Sequence, residues 1–186
     1  MPADLGPPDA PGDRDPRLPA GRLVVVTGHR PLEIGGYDAN PVAHGVRARL
    51  TEVLAAKRQL HPDLVVLTGL GLGAEQLAAE AAAAAGVAYV AVLPYPDPDS
   101  QWPEAARRRY RQLLDGAQST VVLQSKPPAT RQLAGAALRR RDAWLARNAD
   151  EAITVWDGED AAVGRAVRSL QEALGEEDVW VLRPGA

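Results

Sequence analysis

The sequence predicts an α/β fold of Rossmann-like type, a three-layer sandwich around a mainly parallel sheet of about six strands. Three observations predict it. Short apolar runs alternate along the chain with helical stretches of about ten residues or more, the pattern of repeated βαβ units. The runs are nearly continuous rather than alternating, which marks strands covered on both faces. Glycine-rich turns follow the early runs and lead into helices, and ligands bind outside the carboxyl ends of strands in such folds.

Residues 1–20 carry prolines at positions 2, 7, 8, 11, 16 and 19. They read as a mobile tail that buries too little to offset its ordering entropy. Residues 21–186 read as one domain. The first strand is Leu23 to Thr27, β-branched and ended by Gly28. A loop from Gly28 to Asn40 follows. Asn40 then caps a helix that begins at Pro41 and runs to Arg58, proline suiting a first turn. Leu64 to Leu67 is the second strand, and Thr68 to Gly73 a glycine-rich turn. Ala74 to Ala85 is a helix of strong formers closed by Gly86.

Tyr89 to Leu93 is the third strand. The stretch from Pro94 to Pro103 holds four prolines, too rigid for a helix and long enough for a lid. Glu104 to Leu114 is helical, Thr120 to Leu123 is the fourth strand, and Arg131 to Asn148 is mostly helical with a possible break at Gly135. Ile153 to Trp156 is the fifth strand, Ala161 to Leu174 a helix, and Val179 to Leu182 the last strand.

Composition narrows the function. With 186 residues and 46% apolar content, the chain supports one domain with a core. No apolar run approaches the ~18–20 residues of a membrane span, and the N-terminus has no apolar signal-peptide core. The expectation is a cytoplasmic protein with no membrane partner. The absence of cysteine excludes disulfides and thiolate metal sites. His29, His44 and His61 have no ligand spacing, so no metal or other cofactor is expected. A net charge of −3 argues against nucleic acid as a partner. The scarcity of lysine, Lys57 and Lys126 among 21 basic residues, reads as the codon bias of a GC-rich bacterial genome.

The candidate site follows loop by loop. Gly28 allows close approach of a ligand to the backbone, and His29 and Arg30 can donate hydrogen bonds to phosphate. Gly69, Gly71 and Gly73 lead into a helix N-terminus, whose N–H groups and dipole attract an anion. Gly69, Gly71 and Ala74 also satisfy the spacing of the dinucleotide fingerprint, although that fingerprint belongs after the first strand of its unit. Glu75 either favours the helix dipole or accepts from ribose hydroxyls. Arg141 falls on the apolar stripe of its helix beside Ala134, Ala137, Leu138 and Leu145. A charge there needs a ligand or a buried carboxylate. Arg107, Arg108, Arg109 and Arg111 spread too widely around a helix to meet one ligand. Asp157 is a helix cap or a ligand contact. Gly164 marks either a close approach or a later helix start.

Together these residues resemble the SLOG superfamily. That Rossmann-like group contains the DNA-processing protein DprA, the LONELY GUY phosphoribohydrolases and the YpsA-like proteins. The resemblance is to the YpsA-like branch, over roughly residues 23–182. It rests on Thr27-Gly28-His29-Arg30-Pro31, on Gly35-Gly36-Tyr37, and on Thr68-Gly69 with Gly73 and Glu75-Gln76. It continues through Pro94, Trp102-Pro103, Arg141-Asp142-Ala143-Trp144 and Trp156-Asp157-Gly158. The resemblance implies a nucleotide or ADP-ribose-like ligand held by these loops, and it makes a homo-oligomer an expectation. It also adds Gln76, Pro94, Trp102, Asp142, Trp156 and Gly158 to the candidate residues. One departure is plain. Members follow the last motif with a Gly-Gly-Thr phosphate loop, and here Glu159-Asp160-Ala161-Ala162-Val163-Gly164 stands instead. The catalytic glutamate of the LONELY GUY enzymes is also absent, replaced by Arg165-Ala166-Val167.

The leading reading is a sensor-like protein that holds a small phosphorylated, nucleotide-derived ligand. The alternatives are a phosphoribohydrolase-type N-glycosidase, with Glu75 or Asp157 as its carboxylate, and a DprA-like single-stranded DNA-binding protein. A dinucleotide oxidoreductase, with Asp97 about 20 residues past the glycine turn as ribose acceptor, stands behind these. No nucleophile elbow and no P-loop occur in the chain.

Overall fold

The computed structural model describes residues 14–36 and 38–185; Tyr37 of the Gly-Gly-Tyr segment and residues 1–13 of the expected tail lie outside them. Six strands form one sheet in the order β4-β3-β2-β1-β5-β6. They are β1 (Leu23–Gly28), β2 (Val65–Thr68), β3 (Ala88–Leu93), β4 (Ser119–Val122), β5 (Glu151–Val155) and β6 (Val179–Leu182). Every neighbouring pair is parallel. The connecting helices are α1 (Pro41–Leu60), α2 (Ala74–Ala84), α3 (Glu104–Asp115), α4 (Arg131–Asn148) and α5 (Ala161–Leu174).

Successive strand residues face opposite sides of a sheet, so a continuous apolar run feeds two cores. Val24, Val26, Val66, Ala91 and Ile153 pack with Val46, Leu50 and Leu54 of α1 and with the alanine face of α2. Leu23, Val25, Leu67, Val90 and Ala152 pack on the other side with Trp144 and Leu145 of α4 and Val167 and Leu170 of α5. The result is the expected three-layer sandwich. Alanine gives α2 its position: Ala78, Ala79, Ala81 and Ala82 are fully buried, and side chains this small let the helix lie close to both the sheet and α1.

Local chemistry sets the ends. Asn40 Oδ1 accepts from Ala43 N–H at 2.9 Å to start α1. Thr130 caps α4 through Leu133 N–H at 3.2 Å, and Asp160 caps α5 through Val163 N–H at 2.8 Å. α4 runs unbroken through Gly135. β5 begins two positions before the apolar run, at Glu151. That carboxylate is buried by pairing with Lys57 and with Arg22 Nε at 3.2 Å, so a charged residue opens a strand that apolarity alone starts later.

Order also reaches further toward the N-terminus than the prolines suggest. In the 14–20 segment, Asp15 N–H donates to Asn148 Oδ1 at 2.9 Å, Arg14 pairs with Asp150, and Leu18 joins the α4–α5 core.

The strand order positions the site. From β1 the chain proceeds outward through β2, β3 and β4, then returns to the other side of β1 as β5 and β6. The helix after β1 covers one face and the helix after β5 covers the other. The loops leaving the carboxyl ends of β1 and β5 therefore diverge, and a crevice opens at this topological switch point.

Candidate functional site

A crevice of about 790 Å³ lies at the switch point, within the range of small-molecule sites. Its walls include Thr27, Gly28, His29 and Arg30 from the β1 loop, Gly71 and Glu75 from the glycine turn, and Arg141 and Asp142 from α4. Trp102 also lines it, as do Leu138, Asp160 and Val163.

The β1 and β5 loops are locked together. His29 N–H donates to Val155 O at 2.9 Å, and Asp157 N–H donates to His29 Nε2 at 2.8 Å. Nε2 thus acts as an acceptor, and the ring proton lies on Nδ1, which is buried without a partner. Gly28 makes the junction possible. Its φ is +141°, and a Cβ there would stand 2.2 Å from Val155 O. His29 is almost wholly buried and acts as a clamp between strands.

Glu75 is the hub. Its carboxylate accepts from Gly71 N–H at 2.7 Å and Thr27 Oγ1 at 3.3 Å. It also accepts from Arg141 Nη2 at 3.1 Å and Nη1 at 3.4 Å. Arg141 is the charge that the apolar stripe of α4 left open, and its answer is a buried carboxylate. Burial opposes the guanidinium charge, but Glu75 and Asp142 outweigh it and raise the Arg141 pKa. Asp142 Oδ1 takes two further bonds from Arg141, at 2.8 and 3.0 Å. The surrounding protein pushes the Asp142 carboxyl above its ordinary value, with Arg141 pulling the other way.

The glycine turn follows from this hub. A Cβ on Gly69 would lie 2.2 Å from Arg141 Nη1, and one on Gly71 would lie 2.6 Å from Glu75 Oε2. Gly73 has φ +98° and packs on His29 O, with 2.4 Å left for a Cβ. The turn also holds Leu70 at φ +55°, a costly conformation for a leucine. It is held by Leu70 N–H to Thr68 Oγ1 at 3.2 Å and by Gln76 Nε2 to Leu70 O at 3.2 Å. The sequence suggests N–H groups free for an anion. In the structure Gly71 N–H already serves the Glu75 carboxylate, and Ala74 N–H donates to His29 O at 2.9 Å.

Of the remaining candidates, Trp102 lines the crevice and the others lie outside its lining. Asp157 turns its carboxylate onto the N–H groups of Glu159 and Asp160, at 2.8 and 3.0 Å, and these bonds lower its pKa. Gly158 sits inside that turn. Trp156 packs beneath the start of α5, its Nε1 donating to Asp160 O at 3.0 Å and its ring 3.0 Å from a Cβ position on Gly164. Close approach is therefore the reason for Gly164. Pro94 ends β3 without lining the crevice, while Gly73 and Gln76 line a neighbouring cavity. Trp102 is fixed edge-to-face on Tyr110 at 5.4 Å between ring centres. The arginines of α3 face several partners: Glu104 for Arg108, Glu80 for Arg109, and the buried Asp99 for Arg107 and Arg111.

Sequence reasoning missed Glu33, Leu138 and Asp160 as lining residues. Asp160 carries a readable signal, since an acid before a helix caps it and so stands at a strand's carboxyl end. The crevice is rich in acid: Glu33, Glu75, Asp142 and Asp160 face two arginines. Arg141 is paired. Arg30 is exposed and makes no side-chain hydrogen bond or ion pair among the described residues. No three His, Cys, Asp or Glu side chains among the described residues converge to hold a metal ion. No described helix is long and apolar enough to cross a membrane.

A family model described as the YspA SLOG family, YpsA, matches residues 24–178. The chain belongs to this family. No curated protein matches it. Among solved structures it is similar to the DNA processing protein A of Streptococcus pneumoniae, with 20% identity and a TM-score of 0.55, covering 89% of this chain and 51% of that one. It is also similar to the DNA processing protein A of Helicobacter pylori, a structure concerned with single-stranded DNA binding, with 15% identity and a TM-score of 0.56, covering 86% and 64%. The chain thus spans less than two thirds of the length of either. These matches bear out the Rossmann-like reading of the fold.

They also correct the expectation against nucleic acid. The net charge of −3 does not exclude such a partner for a fold shared with a protein described as binding single-stranded DNA. The physical reason is that net charge sums the whole chain, whereas contact with DNA depends on local surface. Arg131, Arg139 and Arg147 of α4 are exposed and without an ion pair among the described residues.

Proposed function

We propose that this protein holds a nucleotide-derived, phosphorylated ligand of nucleotide or ADP-ribose type in the crevice between the β1 and β5 loops. The observation that carries the reading is Arg30, an unpaired cation at the mouth of a switch-point crevice whose other arginine is already neutralised. Because the Glu75 carboxylate takes Gly71 N–H, the ligand's anionic group goes to Arg30 rather than to the glycine turn. The crevice carboxylates suit hydroxyl donors, as a ribose provides. The protein acts as a binder without turnover: Glu75 and Asp157, the two carboxylates named for glycosidic cleavage, are both held by internal hydrogen bonds. A thermal-shift panel of nucleoside mono- and diphosphates, NAD and ADP-ribose tests this. At 100 times its Kd a ligand stabilises by about 2.7 kcal/mol, a rise in Tm of roughly 5–11 °C. No shift with any member defeats the reading.

A second reading, single-stranded DNA as partner, is favoured by the shared fold together with the exposed arginines of α4. Its test is the binding of a fluorescent oligothymidylate. Retention that weakens steeply with salt supports it, and loss in Arg139→Glu assigns the surface. No binding at low salt retires it.

A further inference from the structure

The two edges of the sheet differ. At the β4 edge, Arg17 Nη1 donates to Val122 O at 3.3 Å, so a side chain of the 14–20 segment obstructs that strand. The other edge is β6. Trp156 N–H donates to Leu182 O at 3.0 Å, which places the backbone groups of Trp180 and Leu182 toward β5. Successive residues of a strand direct these groups to opposite edges, so those of Val179 and Val181 point outward. Val179 N–H is taken by Glu176 O, and Arg183 O accepts from Arg49 Nη1 at 2.8 Å. Val179 O and both backbone groups of Val181 have no hydrogen bond among the described residues. An edge with open backbone groups is a template for a further strand.

The same edge exposes apolar side chains. Trp180 is 54% exposed and Val181 43%. Trp180 neighbours Ile153 on the α1 side of the sheet, and Lys57 Nζ lies 4.3 Å from its ring centre, which holds the ring in place. Charge brackets the strand. Glu176, Glu177 and Asp178 precede it, and Arg183 follows it. Asp178 lies 3.8 Å from Arg22. Glu177 and Arg183 are exposed, and their side chains have no ion pair among the described residues. An acidic start and a basic end complement each other when two copies of one strand run antiparallel.

We propose that β6 pairs antiparallel with β6 of a second copy of this chain, about a two-fold axis perpendicular to the sheet beside Trp180. Trp180 then stands opposite the partner's Trp180 as a pair without mutual backbone bonds, the arrangement that brings side chains closest. Each Val181 N–H donates to the partner's Val179 O. Glu177 comes opposite the partner's Arg183, twice by symmetry. The paired strands are short, so the interface is small and association depends on concentration. No β6 residue lines the crevice, so the contact is separate from the ligand site.

Analytical ultracentrifugation of the full chain over a wide range of concentration tests this. The mass is expected to rise from 19.7 kDa toward twice that value. Val181→Lys puts a charge on the open edge and is expected to abolish the rise. Glu177→Arg or Arg183→Glu alone sets like charges opposite each other and weakens association about tenfold or more, and the two together restore it. All three positions are exposed, so melting temperatures at dilution are expected to match the wild-type chain and to assign the losses to the interface. The register has its own readout. The chain has no cysteine, and Trp180→Cys sets two thiols at the Cα separation of about 4.5 Å typical of such a pair, within disulfide range. Mild oxidation is expected to give a covalent dimer, whereas Val122→Cys at the β4 edge stays monomeric. A mass of 19.7 kDa at every concentration overturns the proposal. So does a dimer that Val181→Lys leaves intact, which places the interface elsewhere. A double charge reversal that associates no better than the single ones overturns the antiparallel register.

Discussion

Arg141 reaches Glu75 across the floor of the crevice, Nη2 lying 3.1 Å from Oε1 and Nη1 3.4 Å from Oε2. This pair joins α4 to the glycine turn, and both partners are buried. Removing one partner leaves the other charged in a low-dielectric setting. Arg141→Met is therefore expected to lower unfolding free energy by about 3–5 kcal/mol. Urea denaturation measures it, and Glu75→Gln combined with Arg141→Met recovers part of the loss because the orphaned charge is gone.

Glycines at the site differ in what they tolerate. A Cβ on Gly28 meets the Val155 carbonyl at 2.2 Å with φ at +141°, whereas Gly36 has φ +106° and open space. Gly28→Ala combines backbone strain with a backbone clash and is expected to cost about 2–5 kcal/mol. Gly36→Ala carries strain alone, about 1 kcal/mol. Thermal melts of the two variants rank them, and equal losses would contradict the close packing of β1 on β5.

Acid sensitivity has a local source. The Arg17 side chain bonds Asp15 and holds its carboxyl down at about 2. A carboxyl lowered on folding adds stability above its ordinary value near 3.8 and loses it as pH falls toward 2. The 14–20 segment is expected to loosen across that window before the sheet unfolds. Asp15→Asn removes the step and weakens the segment at neutral pH, which amide exchange of residues 15–18 would show.

Asp142 runs the other way. Its carboxyl is raised, loss of hydration to the surrounding protein being the main cause, with the Arg141 charge opposing it. A raised carboxyl is a charge that folding disfavours, so its contribution to stability falls as pH climbs from the unfolded value through the folded one. Carbon-detected titration of the Asp142 carboxyl is expected to give a midpoint above that of a free aspartate. It should fall in a chain loaded with a cationic ligand and rise with an anionic one at Arg30.

Much of the fold was legible because its signals are local. Asn40, Pro41 and the span Ala161–Leu174 are read from capping and helix formers, and they stand in the structure as expected. The parallel sheet follows from continuous apolar strands. The site was legible only as a set of loops. Position after β1 and β5 brings Gly28, His29 and Arg30 to the crevice, but not what holds them. Glu75 folds back on Gly71 four residues away, and Arg141 lies 66 residues from Glu75. Asp157 uses its carboxylate on its own turn. These outcomes depend on where side chains meet in space, which spacing along the chain does not encode. The same holds for Asp99, a buried residue of the proline-rich loop that pairs with Arg107 and Arg111, where the sequence shows only a stretch too stiff for a helix.

In the proposed complex, Arg30 receives the anionic group of the ligand. Isothermal titration of the tightest-binding nucleotide from the panel, against wild type and Arg30→Ala, tests it directly. Arg30 is exposed and unpaired, so the variant is expected to melt at the wild-type temperature. Losing a charge-assisted bond of about 1.5–3 kcal/mol predicts affinity weaker by roughly 10- to 150-fold. Unchanged affinity in a folded Arg30→Ala chain would contradict the account and move the anion, and with it the ligand, away from this crevice.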